Sequence, residues 1–246
     1  MEEYSDDSRQ DAGYCADLVR IEDRDRFLAA QFAPPDARGR LLALLAVNAE
    51  IARAARAARE PVLLRIRIQW WREAVAAVLD GRPSPGQPAL AQLARAHGET
   101  PLDHDAIERL LSARERDFVV EPLAGVDDAV AHAEAASGSL ARLALRALDV
   151  ADPAAVAAAR SAGIAFGLME MVNRVPFPLE AATRAHIAAA RDAGTNVPVA
   201  ARAVMLWVAA AEARLVSSDP TRSPPLLPLT LAWRAWLREP MTSSPS

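Results

Sequence analysis

From Asp11 onward this chain sets alanine, leucine and arginine at intervals of three and four residues, and proline or glycine cuts the pattern into segments. That interval gives each segment one apolar stripe, whereas the alternation of β-branched and aromatic residues that marks strands is nearly absent. The pattern excludes a sheet-based fold and predicts a single all-α domain of about eight to ten helices. A first helix is predicted over Asp11–Phe32, stopped by Pro34 and Pro35, and a second over Asp36–Glu60. Pro61 is placed to open a third, Pro61–Asp80, and Gly81 to close it. Shorter segments follow at Pro88–His97 and Asp105–Phe118, with Asp103 as the cap of the latter. Longer ones span Asp127–Leu148, Pro153–Val175 and Val197–Val216, with a less regular Leu179–Ala193 between the last two. A Pro- and Ser-rich spacer, Ser217–Pro225, precedes a closing apolar helix, Leu226–Leu237. The acidic start, residues 1–10, and the tail, residues 239–246, are expected to be disordered around a domain of residues 11–238.

The formal charge of -4 gives the chain no global attraction to nucleic acid, and no nucleic-acid partner is expected. Cys15 is the single cysteine, which excludes an internal disulfide and a cysteine-based zinc site. No signal-peptide pattern opens the sequence and no run of about 18 apolar residues follows, so a cytoplasmic protein is expected. All 28 basic residues are arginine, which removes Schiff-base and phosphate-loop lysines from the chemistry.

The stretch "ALLAVNAEIARAARAARE", Ala43–Glu60, carries the sharpest question. Leu44, Val47, Ile51 and Ala55 share one face of a helix, and Asn48, Arg56 and Arg59 form a polar strip turned to nearly the same side. In "RIRIQWWREAV", Trp71 falls with Leu64, Ile68 and Val75, while Trp70 falls with Leu63 and Ile66 on another side. A helix apolar on two faces is expected to be sandwiched in the core. The four histidines, His97, His104, His132 and His186, lack metal-ligand spacing and are given no role.

The pieces "YCADLVR", "DRDRFLAAQFAPPDARGRLLAL", "NAEIAR" and "IRIQWWREAV" resemble, in this order and spacing, the start of squalene/phytoene synthase family proteins. "ARERDF", "AEAASGSLARLALRAL" and "SAGIAFGL" look like that family's middle helices, and "PLLPLTLAWRAWLRE" like its closing helix. The resemblance implies an isoprenoid-synthase-like bundle of helices around a central cavity. In the catalytic members, two aspartate-rich segments hold magnesium ions that bind the substrates' diphosphates. Magnesium needs several convergent oxygen ligands, so carboxylates are the test.

Counted from Asn48, the family's Asp-Asp-x-x-Asp positions fall on Ala52, Arg53 and Arg56. The second segment aligns with "GLMEMVNRVPFP", where Arg174 stands at the first aspartate position and Phe177–Pro178 at the acidic pair. No Asp occurs from Gly163 to Pro178, and the nearby acids are Glu50 and Glu170. Two readings of the inverted wall are open. Its arginines bind a diphosphate directly, or Glu170 and Arg174 pair on their own helix while Arg56 and Arg59 pair with other acids or reach solvent. Asn48, Ala52, Arg56, Arg59, Glu170 and Arg174 are thus the candidate cavity and anion-binding residues, with no catalytic residue and no metal ligand assigned. Gly163 and Gly167 are expected to allow close helix packing.

The resemblance is strongest to a branch that looks like the mitochondrial assembly factor of respiratory complex I and has lost the aspartate motifs. It implies a protein without prenyl transfer and without a cofactor, whose partner is a respiratory-complex subunit or another protein, working in the cytoplasm or peripherally at the inner membrane. The alternatives are a magnesium-dependent prenyltransferase making a squalene- or phytoene-type product, and a module that holds a prenyl diphosphate or lipid. The closing helix, Leu226–Leu237, either docks on the bundle or lies at a bilayer interface.

Overall fold

Helices in this chain begin where a side chain can take up a free first-turn amide. Gln87 accepts from the Leu90 amide at 2.9 Å, Asp103 from Ala106 at 3.2 Å and Asp152 from Ala155 at 2.8 Å. Proline supplies the first residue of the helices starting at Pro61, Pro88 and Pro153, where its missing N–H costs no hydrogen bond. The result, in a computed structural model that describes residues 2–57, 60–82, 86–117, 122–217, 219, 224–225 and 227–237, is an all-α fold with no strand among the described residues. Twelve α-helices are described: α1 (Glu2–Glu22), α2 (Arg24–Ala30), α3 (Pro35–Arg56), α4 (Pro61–Leu79), α5 (Pro88–Glu99), α6 (His104–Arg116), α7 (Val126–Ala133), α8 (Ser139–Ala147), α9 (Pro153–Met171), α10 (Glu180–Ala193), α11 (Arg202–Leu215) and α12 (Leu227–Leu237). A π turn, Glu134–Gly138, joins α7 to α8, and a 3-10 turn, Val199–Ala201, precedes α11.

Helix α1 begins at Glu2, and within it the Ser8 carbonyl accepts from Gln92 Nε2 at 3.0 Å and the Ser8 hydroxyl from Arg95. Three sequence expectations change. The predicted helix Asp11–Phe32 is two helices, because Asp23 leaves helical geometry to cap α2. The continuous helix Asp127–Leu148 is interrupted by the π turn, whose extra residue shifts the register between α7 and α8. The last predicted turn of Pro153–Val175 does not form: α9 ends at Met171, and Pro176 disfavours the helical region at Val175. Arg59, Phe118, Leu226 and residues 239–246 lie outside the described residues.

The centre of the domain is α9, which packs against α8, α10, α11 and the π turn, while α3 packs against α1, α4, α5 and α8. By length and hydropathy α9 is the one helix among the described residues that could cross a membrane, but 72% of that apolar window is buried inside the protein. Its close packing rests on glycine. A Cβ on Gly163 would sit 2.8 Å from the Ser137 carbonyl carbon and 2.9 Å from the Ala141 Cβ, and one on Gly167 would sit 3.0 Å from the Ser137 Cβ. The closing helix α12 is docked on α11 and α2, with Leu227 and Leu231 buried and Arg234 paired to Glu212 at 2.7 Å.

The two-faced α4 is not sandwiched. Leu64, Ile68, Trp71 and Val75 are buried as expected, but Leu63, Ile66 and Trp70 face solvent together with Val62. The elements packed on α4, namely α3, α5 and α6, cover one side of it.

Candidate functional site

Between α3, α6, α7 and α9 lies a cavity of about 550 Å³. Five of the six candidates read from the sequence line it: Asn48, Ala52, Arg56, Glu170 and Arg174. The sixth, Arg59, lies outside the described residues. Gly167, Asp117, His132, Ser137, Arg114 and Arg214 complete much of the wall.

Behind the cavity wall lies Arg26, which holds three of the lining residues, Asp23, Ser137 and Glu170. The Asp23 cap that starts α2 also turns Arg26 inward, where its guanidinium is 1% exposed. Nη1 donates to Asp23 Oδ2 at 2.7 Å and to Glu170 Oε1 at 3.1 Å, and Nη2 donates to Ser137 Oγ at 3.0 Å. The Phe166 ring centroid lies 4.1 Å from its central carbon and the Trp207 ring 4.6 Å away, so the planar cation has aromatic cover as well as acids. Burial disfavours the charged guanidinium, but Asp23 and Glu170 outweigh it and raise its pKa. Ser137 reaches this point because the π turn is pressed against Gly163 and Gly167, and its hydroxyl donates to Glu170 Oε2 at 3.1 Å. Burial pushes the Glu170 carboxyl up, yet Arg26, Arg114 and Arg214 hold it below its ordinary value. Arg214 in turn donates to the buried Asp25 at 2.6 Å.

A second knot forms at the end of α6. Arg114 donates to Asn48 Oδ1 at 3.1 Å and to Asp117 Oδ2 at 3.0 Å, and His132 Nε2 lies 2.8 Å from Asp117 Oδ1. Burial raises the Asp117 pKa, but the His132 hydrogen bond and the Arg114 charge overcome it and bring it to about 2. Arg174 approaches the same carboxylate at 3.7 Å and donates to the Asp117 carbonyl at 3.3 Å. The expected intrahelical pair of Glu170 with Arg174 is therefore not formed. Arg174 lies beyond the end of α9 and turns to Asp117, and Glu170 turns to Arg26. Arg56 pairs with Glu22, and Arg53 with Glu50 at 3.0 Å. His132, given no role on the ground of its spacing, is a hydrogen-bond partner of Asp117 in the cavity wall.

Magnesium, which the catalytic relatives of such a fold would use, does not fit this donor set. The carboxylates that line the cavity, Glu22, Asp23, Asp117 and Glu170, are each held by an arginine. No group of three or more His, Cys, Asp or Glu side chains able to hold a metal occurs among the described residues.

Sequence reasoning missed Arg26, Arg114, Asp117, Ser137 and Arg214. The one local signal is the charged "EDRDRF" between two apolar stretches, where a helix cap and an inward arginine are adjacent. The squalene/phytoene synthase family model matches residues 19–180, well over half of the chain. The chain belongs to that family. The fold agrees: a dehydrosqualene synthase crystal structure superposes with a TM-score of 0.75 at 11% identity, over 94% of this chain and 96% of that one. A squalene synthase from Alicyclobacillus acidocaldarius gives 0.71 at 14%, over 93% and 95%. In sequence, this family member is similar to complex I assembly factor 6 of Mus musculus, 28% identical over 164 residues, and of Homo sapiens, 26% identical over the same length. Both alignments cover 67% of this chain and 49% of the relative, so the chain spans about half the length of those relatives.

Proposed function

We propose that this protein is a non-catalytic member of the squalene/phytoene synthase family that assists assembly of a respiratory complex, binding a complex I-type subunit or another protein of that pathway. The observation that carries the reading is the cavity's closed charge balance: the acids that would have to hold magnesium are already neutralised by Arg26, Arg56, Arg114 and Arg174. Without the metal, a diphosphate leaving group loses its main electrostatic stabilisation. The similarity to assembly factors named for complex I supplies the process. In this reading the protein works in the cytoplasm or at the inner-membrane surface. The closing helix serves as part of the bundle, a role supported by the burial of Leu227 and Leu231.

Two assays test it together. Deleting the gene should lower assembled, NADH-oxidising complex I in native gels, and the intact gene should restore it. The purified protein incubated with farnesyl or geranylgeranyl diphosphate and magnesium should give no condensed product. Turnover abolished by chelation would reject the reading in favour of a prenyltransferase. Tight metal-independent binding of a prenyl diphosphate, with normal complex I after deletion, would favour the lipid-holding module.

A further inference from the structure

Large apolar side chains that face solvent are scattered singly over most of the surface, as at Ile21, Val199 and Val216. On α4 they are contiguous. Val62 is 55% exposed, Leu63 45%, Ile66 60% and Trp70 42%. At 100° per residue these four positions fall within one arc of about 100°, so they form a strip along the N-terminal two turns of the helix. The opposite side of the same helix is core, with Ile68 and Trp71 buried, which fixes the strip in the outward direction. Trp70 stands edge-on to Trp71, their centroids 5.1 Å apart, so its ring is propped against the fold.

The two long flanks of the strip carry arginine, and the exposed Glu60 and Glu73 stand at its two ends. Arg65 lies on one side and Arg67 on the other. Arg65 is exposed and has no carboxylate partner among the described residues. Arg67 donates to the Ala54 carbonyl at 3.1 Å, which holds the side chain in place without neutralising its charge. At the far end Glu73 accepts from Gln69 at 2.8 Å, and the strip stops there. Aliphatic residues with a tryptophan, flanked by arginines, match a lipid interface: the apolar groups enter the acyl boundary, and the guanidiniums meet anionic headgroups.

We propose that the outer face of α4 is a membrane-docking surface for anionic lipid, with Val62, Leu63, Ile66 and Trp70 inserting and Arg65 and Arg67 contacting phosphate-bearing headgroups. This surface is separate from the cavity, and it does not depend on the assembly role. It brings the α3–α4 side of the domain to the bilayer and leaves α12 in the bundle.

The test uses the full chain and vesicles of phosphatidylcholine with or without phosphatidylglycerol. The protein should sediment with the anionic vesicles, and its fluorescence should shift to the blue, a shift that Trp70→Phe removes. Ile66→Glu should weaken sedimentation by roughly tenfold or more, and Arg65→Glu by several-fold, with added salt acting in the same direction. Circular dichroism and the melting temperature of both variants should match the parent, since both side chains are exposed. Absence of sedimentation, or equal binding to neutral vesicles, overturns the proposal. So does binding that survives Ile66→Glu but is lost on truncation after Ser223, which would place the contact on the closing helix. A concentration-dependent dimer that Ile66→Glu dissociates, without vesicle binding, would show that the strip covers a second copy of the chain and would also overturn it.

Discussion

The cavity and the outer face of α4 are built on opposite rules. In the cavity wall, polar side chains are already paired: Asp23, Glu170 and Ser137 with the Arg26 behind them, and Asp117 with Arg114 and His132. On α4, Val62, Leu63, Ile66 and Trp70 face solvent, and Arg65 has no carboxylate partner among the described residues. The difference teaches how one domain sets paired charges around its interior and leaves large apolar side chains facing water on its outside. A buried network that holds helices together should show in stability, and an exposed strip should not.

The strongest way to break this comparison is Arg26→Met. It removes a fully buried cation from Asp23, from the cavity-facing Glu170 and from the Phe166 and Trp207 rings, and the expected loss is about 3 kcal/mol in urea unfolding. A loss under about 1 kcal/mol would mean that the network is ornamental. Gly163→Ala comes next. Its Cβ meets the Ser137 backbone, which has no flexible end to yield, so a loss of about 1–3 kcal/mol is expected. Gly39→Ala is the matched control: nothing lies within 4 Å of its Cβ, and alanine there should be neutral or stabilising by up to ~1 kcal/mol.

Asp117 sharpens the comparison through pH. Its folded pKa, about 2, lies below the ordinary 3.8, so the folded state binds the proton less tightly than the unfolded chain. The stabilisation is complete above the ordinary value and is lost as pH falls from 3.8 towards 2. It amounts to roughly 2 kcal/mol, and Asp117→Asn should flatten the acid limb of a stability-versus-pH curve over that window. The smallest effect is expected on the strip: Ile66→Glu should change unfolding free energy by less than about 0.5 kcal/mol. A larger loss would show that the strip is covered within the fold.

Much of the fold was legible because helix periodicity and breakers are local. Asn48, Ala52 and Arg56 recur at intervals of four on one helix, and the structure sets all three in the cavity wall. The partners of Arg26 were not legible, since Ser137 and Glu170 lie 111 and 144 residues away and only packing brings them together. The Glu170–Arg174 pair, one of the two readings open from the sequence, does not form, and the reason is local. The spacing was right, but the helix that would have carried it ends at Met171. The α4 faces failed differently: periodicity counts apolar residues on a face, not the neighbours available to cover them.

The π turn between α7 and α8 has a further consequence. A turn of i to i+5 is an α-turn with one residue too many, so the segment Glu134–Gly138 behaves as a one-residue insertion that the helix has absorbed rather than expelled. Excising a single alanine, Ala135 or Ala136, should return the segment to regular helix. Because the wide turn already takes up the extra residue, α7 and α8 should keep their mutual orientation, and His132 should stay on Asp117. What the excision removes is the bulged backbone that carries Ser137 against Gly163 and Gly167. The bulge is thus a spacer for the cavity wall: one codon sets how far the Ser137 backbone stands out towards α9.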